Sequence, residues 1–238
     1  MGPLLFVIFA SHLFKIVEKH LPTTHCFAYD TQLYLSFKPG DTTCENDVIN
    51  AMSKRVDDLK NWMITDKLMI NDDNTEVLLI GTRQQLAKIN TACIITVCEY
   101  DINPGLCVRN LGVWFDSHLS MSTHVTKLCN SAFYQLLNIR CIRKYLSHDS
   151  LLALIHAFIT SRLDFCNGLL CGLPKTQIVK LQRVQNAAAR LAMNIGKYSH
   201  VTQAFQVLHW LPVCTRIDLK ILILVFKAIH RHYRFNYC

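Results

Sequence analysis

The sequence predicts an α+β fold, with a mixed unit over residues 1–120 followed by an all-helical half. Three observations carry this. Hydrophobic residues make up 51% of the 238 and charged residues 18%, enough apolar mass for a sizeable core and too much for a disordered chain. Glycine (8) and proline (6) are sparse, which argues against an all-β chain built on tight turns. From about Ser120 onward the apolar residues recur with a helical period, whereas earlier segments alternate.

Gly2-Pro3 opens into an apolar helical stretch over residues 4–17, and Pro22 closes it. The pattern runs on into Lys15, Glu18 and Lys19, as in an amphipathic helix. With no basic leader ahead of it, it reads as a helix rather than a secretion signal. Residues 25–37 alternate and are rich in β-formers, predicting a hairpin with Asp30-Thr31 near its tip and Pro39-Gly40 at its end. Thr42-x-x-Glu45 has the form of a capping box, in which hydroxyl and carboxylate satisfy orphan N–H groups at a helix start. Val48, Met52, Val56, Leu59 and Met63 then form an inward stripe, with Lys54, Arg55, Asp57, Asp58 and Lys60 on the other face. Strands are predicted at 67–71 and 75–80 around a turn at Asp72-Asp73-Asn74, and again at 92–98 and 107–115.

Helices are predicted at 123–144, 150–164, 175–195, 202–208 and 215–231. Pro174 suits the first turn of the third, and Gly196 follows its end. On that helix Ile178, Leu181, Val184, Ala188, Leu191, Ala192 and Ile195 gather on one side. Lys180, Arg183, Arg190 and Lys197 fall on the other, the last three at seven-residue spacing. Such a stripe suits contact with successive phosphates, and it equally suits a solvated face.

Charge divides the chain as the periodicity does. Residues 1–120 hold 10 Lys/Arg against 14 Asp/Glu; residues 121–238 hold 15 against 3, a balance of +12 that points to a polyanionic partner. The 11 cysteines are odd in number and form no CxxC pair. Spacings such as Cys93–Cys98 and Cys166–Cys171 match no zinc template, so the chain reads as reduced and intracellular. His230-x-His232 would point to different helix faces, which disfavours a metal. Phe6 stands where a myristoylation signal needs Ser or Thr. The longest run free of Asp, Glu, Lys and Arg, 198–215, is broken by polar residues and Pro212, so no membrane partner is expected.

The hairpin segment His25-Cys26-Phe27-Ala28-Tyr29-Asp30-Thr31-Gln32-Leu33-Tyr34 resembles the active-site hairpin of LINE-type (non-LTR) retrotransposon reverse transcriptases, whose pattern is Tyr-Ala-Asp-Asp-Thr-Gln-Leu-Tyr. Other blocks agree in the family's order. Gly2-Pro3-Leu4-Leu5-Phe6 resembles the end of the template-handling motif. Trp62, Leu68, Asn71 and Thr75-Glu76 resemble the block that ends in Lys-Thr-Glu. Asn110-Leu111-Gly112-Val113, Phe115-Asp116-Ser117 and Leu119-Ser120-Met121 resemble the primer-grip region. Ser161-Arg162-Leu163-Asp164-Phe165-Cys166-Asn167 and the segment from Leu181-Gln182-Arg183 to Arg190 resemble the thumb helices. The likeness covers nearly the whole chain.

The resemblance implies a partial polymerase palm over 1–90 (helix, β-hairpin, helix, strands), a strand-rich connection like the primer grip over 91–120, and a basic thumb-like helical domain over 121–238. The family activity it implies is RNA-directed DNA synthesis with two Mg²⁺ ions held by converging carboxylates. This sequence departs from the pattern. Tyr29 stands at the first Asp of the hairpin pair and only Asp30 remains as a weak metal ligand. Asn74 replaces a lysine able to protonate pyrophosphate, and the strand bearing the upstream Asp would precede Gly2-Pro3. The expectation is a catalytically inactive remnant of a transposable element. Lys180, Arg183, Arg190 and Lys197 would then bind RNA–DNA hybrid or duplex weakly and without sequence preference. A non-catalytic interaction module retained from the element is the alternative. A palm opening at Gly2-Pro3 would also leave a sheet edge and apolar surface bare, which predicts self-association.

Overall fold

A computed structural model of the chain describes residues 24–27, 30–65, 75–89, 94–97 and 100–230. They divide into two compact units, one drawn from the chain up to Val108 with Ser117–Leu119, the other from Arg109–Asp116 and the chain from Ser120 onward. The architecture is mixed α+β and mostly helical, with its strands in two-stranded sheets. The segments expected as a helix at 4–17, a strand at 67–71 and a turn at 72–74 lie outside the described residues.

In the first unit β1 (Thr24–Phe27) and β2 (Asp30–Leu33) pair antiparallel, with Phe27 opposite Asp30 and Thr24 opposite Leu33. Asp30 therefore opens the second strand in the pair that closes the hairpin, near its tip as expected. The strand stops at Leu33 rather than Phe37, because residues beyond Leu33 have no partner strand among the described residues.

Helix α1 (Thr42–Thr65) is capped one residue earlier than the Thr-x-x-Glu pattern suggests. Asp41 Oδ1 accepts from Thr43 N at 3.1 Å and Thr43 Oγ1 at 2.5 Å, while Glu45 Oε1 accepts from Gly40 N at 2.9 Å. The Thr43 hydroxyl and then the backbone N–H groups hold the Asp41 carboxyl below its ordinary range. The true capping box lies at α2 (Arg83–Leu86). There Gln85 N donates to Thr82 Oγ1 at 3.2 Å and Thr82 N donates to Gln85 Oε1 at 3.0 Å.

Residues 75–80 are not a strand, although their alternation suggested one. A lone parallel bridge pairs Leu78 with Gly105, and Gly105 N donates to Val77 O at 2.8 Å. The expected strand at 92–98 holds β3 (Ile95–Val97), which pairs with an unexpected β4 (Tyr100–Ile102), and the one at 107–115 is a hairpin of β5 (Cys107–Asn110) with β6 (Val113–Asp116). This hairpin folds back at Leu111 (φ 45°) and Gly112 (φ 86°). Two consecutive positive φ values suit a hairpin turn whose twist matches the strands, and only glycine adopts one without steric cost.

From Ser120 onward the second unit is a helical bundle. Asp116 Oδ1 and Oδ2 accept from Ser120 N (2.9 Å) and Oγ (3.0 Å), turning the chain into α3 (Ser122–Ile142). Helix α4 (His148–Ile155) passes through a π turn (His156–Thr160) into α5 (Ser161–Asp164), a segment expected to be one regular helix. Its buried residues are Leu151, Ile155, Ile159 and Leu163. A spacing of four overshoots the 3.6-residue turn by about 40° per step, so a regular helix would rotate the last of them out of the core. The wider π turn takes up that drift.

Helices α6 (Lys175–Met193), α7 (Thr202–Val207) and α8 (Val213–Ile229) complete the unit. Pro174 is the residue before α6 rather than its first turn. Asn194 in the left-handed region (φ 54°), not Gly196, ends α6. The core joins Val125, Ala132, Leu136 and Ile139 of α3 to Leu181, Val184, Ala188 and Ala192 of α6. Small alanines on both helices leave room for close packing of α3 on α6.

Candidate nucleic-acid interface

Helix α6 sorts its polar residues by role. Its apolar stripe is buried at Leu181, Val184, Ala188 and Ala192, and three amides beside that stripe are consumed internally. Gln182 Oε1 accepts from Val213 N at 2.9 Å, while Gln182 Nε2 donates to Gln185 Oε1 (3.0 Å) and Asn186 Oδ1 (2.9 Å). Gln185 Nε2 donates to Leu211 O at 2.8 Å, and Arg216 Nε donates to the same carbonyl at 3.1 Å. Arg216 also pairs with Asp164. This network seats the start of α8, where Pro212 has no N–H and Val213 N would otherwise be orphaned. The Gln-rich face was legible in the sequence, but nothing there marked Leu211 and Val213 as its partners.

The basic residues divide. Lys180 and Arg183 are exposed on α6, with no hydrogen-bond or ion-pair partner among the described residues. Arg190 is half-buried and its Nε donates to Ser199 O at 3.1 Å, so it anchors the turn after the helix. Lys197 does not continue the stripe. Asn194 has already turned the chain, and the Lys197 ammonium sits 5.5 Å from the Tyr198 ring centre. Seven-residue spacing held the three cations in line only on the assumption of an unbroken helix.

A second basic group lies at the end of α3. Arg140 and Lys144 are exposed there, Arg143 Nε donates to Leu191 O at 3.0 Å, and the Lys144 ammonium lies 4.8 Å from the Tyr145 ring centre. The signal was present as Arg-x-x-Arg-Lys-Tyr. Arg143, just past α3, meets Leu191 late in α6, so the C-terminal ends of the two helices lie together. Residues 165–217 contain no Asp or Glu, which leaves α6 without a carboxylate of its own to neutralise these cations.

Asp30 is exposed at the start of β2, while Tyr29 and Asn74 lie outside the described residues. Among the described residues no three His, Cys, Asp or Glu side chains come together as a metal site. Among them, too, no helix is long and apolar enough to cross a membrane. His230 Nδ1 lies 2.9 Å from Phe226 O and its ring stacks on Phe226, a local helix-end contact. No protein-family model matches the chain, and neither a curated protein nor a solved structure matches it.

Proposed function

We propose that the chain is a non-catalytic remnant of a LINE-type retrotransposon reverse transcriptase whose helical unit binds nucleic acid through its phosphates. One observation carries the binding half of this reading. The basic excess of residues 121–238 surrounds an acid-free stretch in which Lys180 and Arg183 stand exposed on α6. Sites so arranged take up polyanions by releasing their counterions, with no need for base contacts. The loss of polymerase chemistry rests on Tyr29 and Asn74. A neutral phenol is a poor ligand for Mg²⁺ and an amide cannot act as an acid.

Primer extension on an RNA template with Mg²⁺ or Mn²⁺ tests the catalytic half. The full chain, and the chain with Tyr29→Asp, should incorporate no more nucleotide than a no-protein control. Template-dependent incorporation would overturn it. A second reading, a protein-interaction module retained from the element, is favoured by α8, where Leu222, Phe226 and Ile229 are exposed.

A further inference from the structure

We propose that the end of the helical unit where α3 and α6 finish together binds single-stranded nucleic acid, with bases stacking on Tyr145 and Tyr198. This rests on the nucleic-acid reading above and names the form of polymer this end takes. The Arg143 to Leu191 bond ties the C-terminal end of α3 to that of α6. The Arg190 to Ser199 bond holds the turn bearing Lys197 and Tyr198 at that same end. Each helix is followed by an exposed Lys-Tyr step. Tyr145 is 77% exposed and Tyr198 89%, so neither ring is used in packing.

Each ring has an ammonium within reach of its face, Lys144 at 4.8 Å and Lys197 at 5.5 Å. Segments 140–145 and 190–200 hold five Lys/Arg and no carboxylate; the nearest in sequence, Asp149, belongs to the first turn of α4. Helix C-termini favour cations on their own account, but that does not explain two rings standing in water beyond them. Aromatic faces beside phosphate-binding cations are the pairing that single strands use. In a duplex both faces of each base are already stacked, and only unpaired bases are free to meet a ring.

The test is fluorescence anisotropy of the full chain with a labelled oligothymidylate and a labelled DNA duplex at fixed low salt. Replacing both rings (Tyr145→Ala with Tyr198→Ala) should weaken single-strand binding, by roughly fivefold or more per ring. Duplex affinity should stay unchanged. The Tyr145→Phe, Tyr198→Phe variant should bind the single strand as the parent does. Single-strand affinity that survives both alanines, or a parent that binds the duplex and not the single strand, would overturn this inference alone. A parent that binds neither would overturn the nucleic-acid reading with it.

Discussion

Replacing Gln182 with alanine removes the acceptor that seats α8. Val213 N then loses its partner at 2.9 Å in a position where the Val213 side chain is buried, and Gln185 Oε1 and Asn186 Oδ1 each lose a donor. An unsatisfied buried donor costs about 1–3 kcal/mol, and the part-buried amide contacts add a fraction of that, so a loss of about 2 kcal/mol is expected. With a urea dependence of about 2 kcal/mol per molar for a small domain, the midpoint of the helical unit should fall by about 1 M. The neighbouring Arg183→Gln serves as control, since an exposed substitution shifts stability by about 0.5 kcal/mol or less. Urea unfolding followed by near-UV circular dichroism, with amide exchange at Val213, reports both variants. A Gln182→Ala midpoint equal to that of Arg183→Gln, with Val213 N still protected, would refute the role given to this amide.

His124 is buried, and burial alone pushes its pKa below the ordinary 6.5; its Nδ1 accepts from Trp114 N at 3.4 Å. The unfolded chain therefore takes up the proton first. Stability is full above about pH 6.5 and falls as the pH drops through the lowered folded value, and His124→Gln should flatten that fall in urea midpoints measured down the pH range. On α8, exposed Leu222 and Phe226 should drive self-association and dye binding, which Leu222→Lys with Phe226→Lys should reduce in light scattering.

Helix α6 was legible because Leu181, Val184, Ala188 and Ala192 keep helical spacing and a single face, and burial follows that face. Its end was not, because the left-handed turn at Asn194 uses a residue that also sits within helices, and Lys197 extended a spacing that the backbone had left. The hairpin from Cys107 to Asp116 read as one strand because Leu111 is an ordinary strand residue, and only its pairing reveals the positive φ. At residues 75–80 the alternation is real, but a strand needs a neighbour, and pairing is a tertiary fact that local pattern does not carry. Asp41 displaced Thr42 as the cap of α1 because both side chains suit the position and the helix starts one residue sooner. In the interface, composition pointed to α6, whereas the division of labour between free Lys180 and Arg183 and anchored Arg190 depends on where Ser199 returns.

The claim that α6 contacts phosphates is tested most directly by the salt dependence of duplex binding. Affinity of the full chain for a DNA duplex, and for an RNA–DNA hybrid, should be followed from about 50 to about 200 mM salt. The same series should be run on the Lys180→Gln, Arg183→Gln variant, which leaves the Arg190 to Ser199 anchor in place. About three or four phosphate contacts give the parent a log–log slope of roughly −3 to −4, and the loss of two should bring it up by about 2. Glutamine keeps the helix, so the change is one of charge. Parallel slopes for parent and variant would assign Lys180 and Arg183 to solvent and contradict the account.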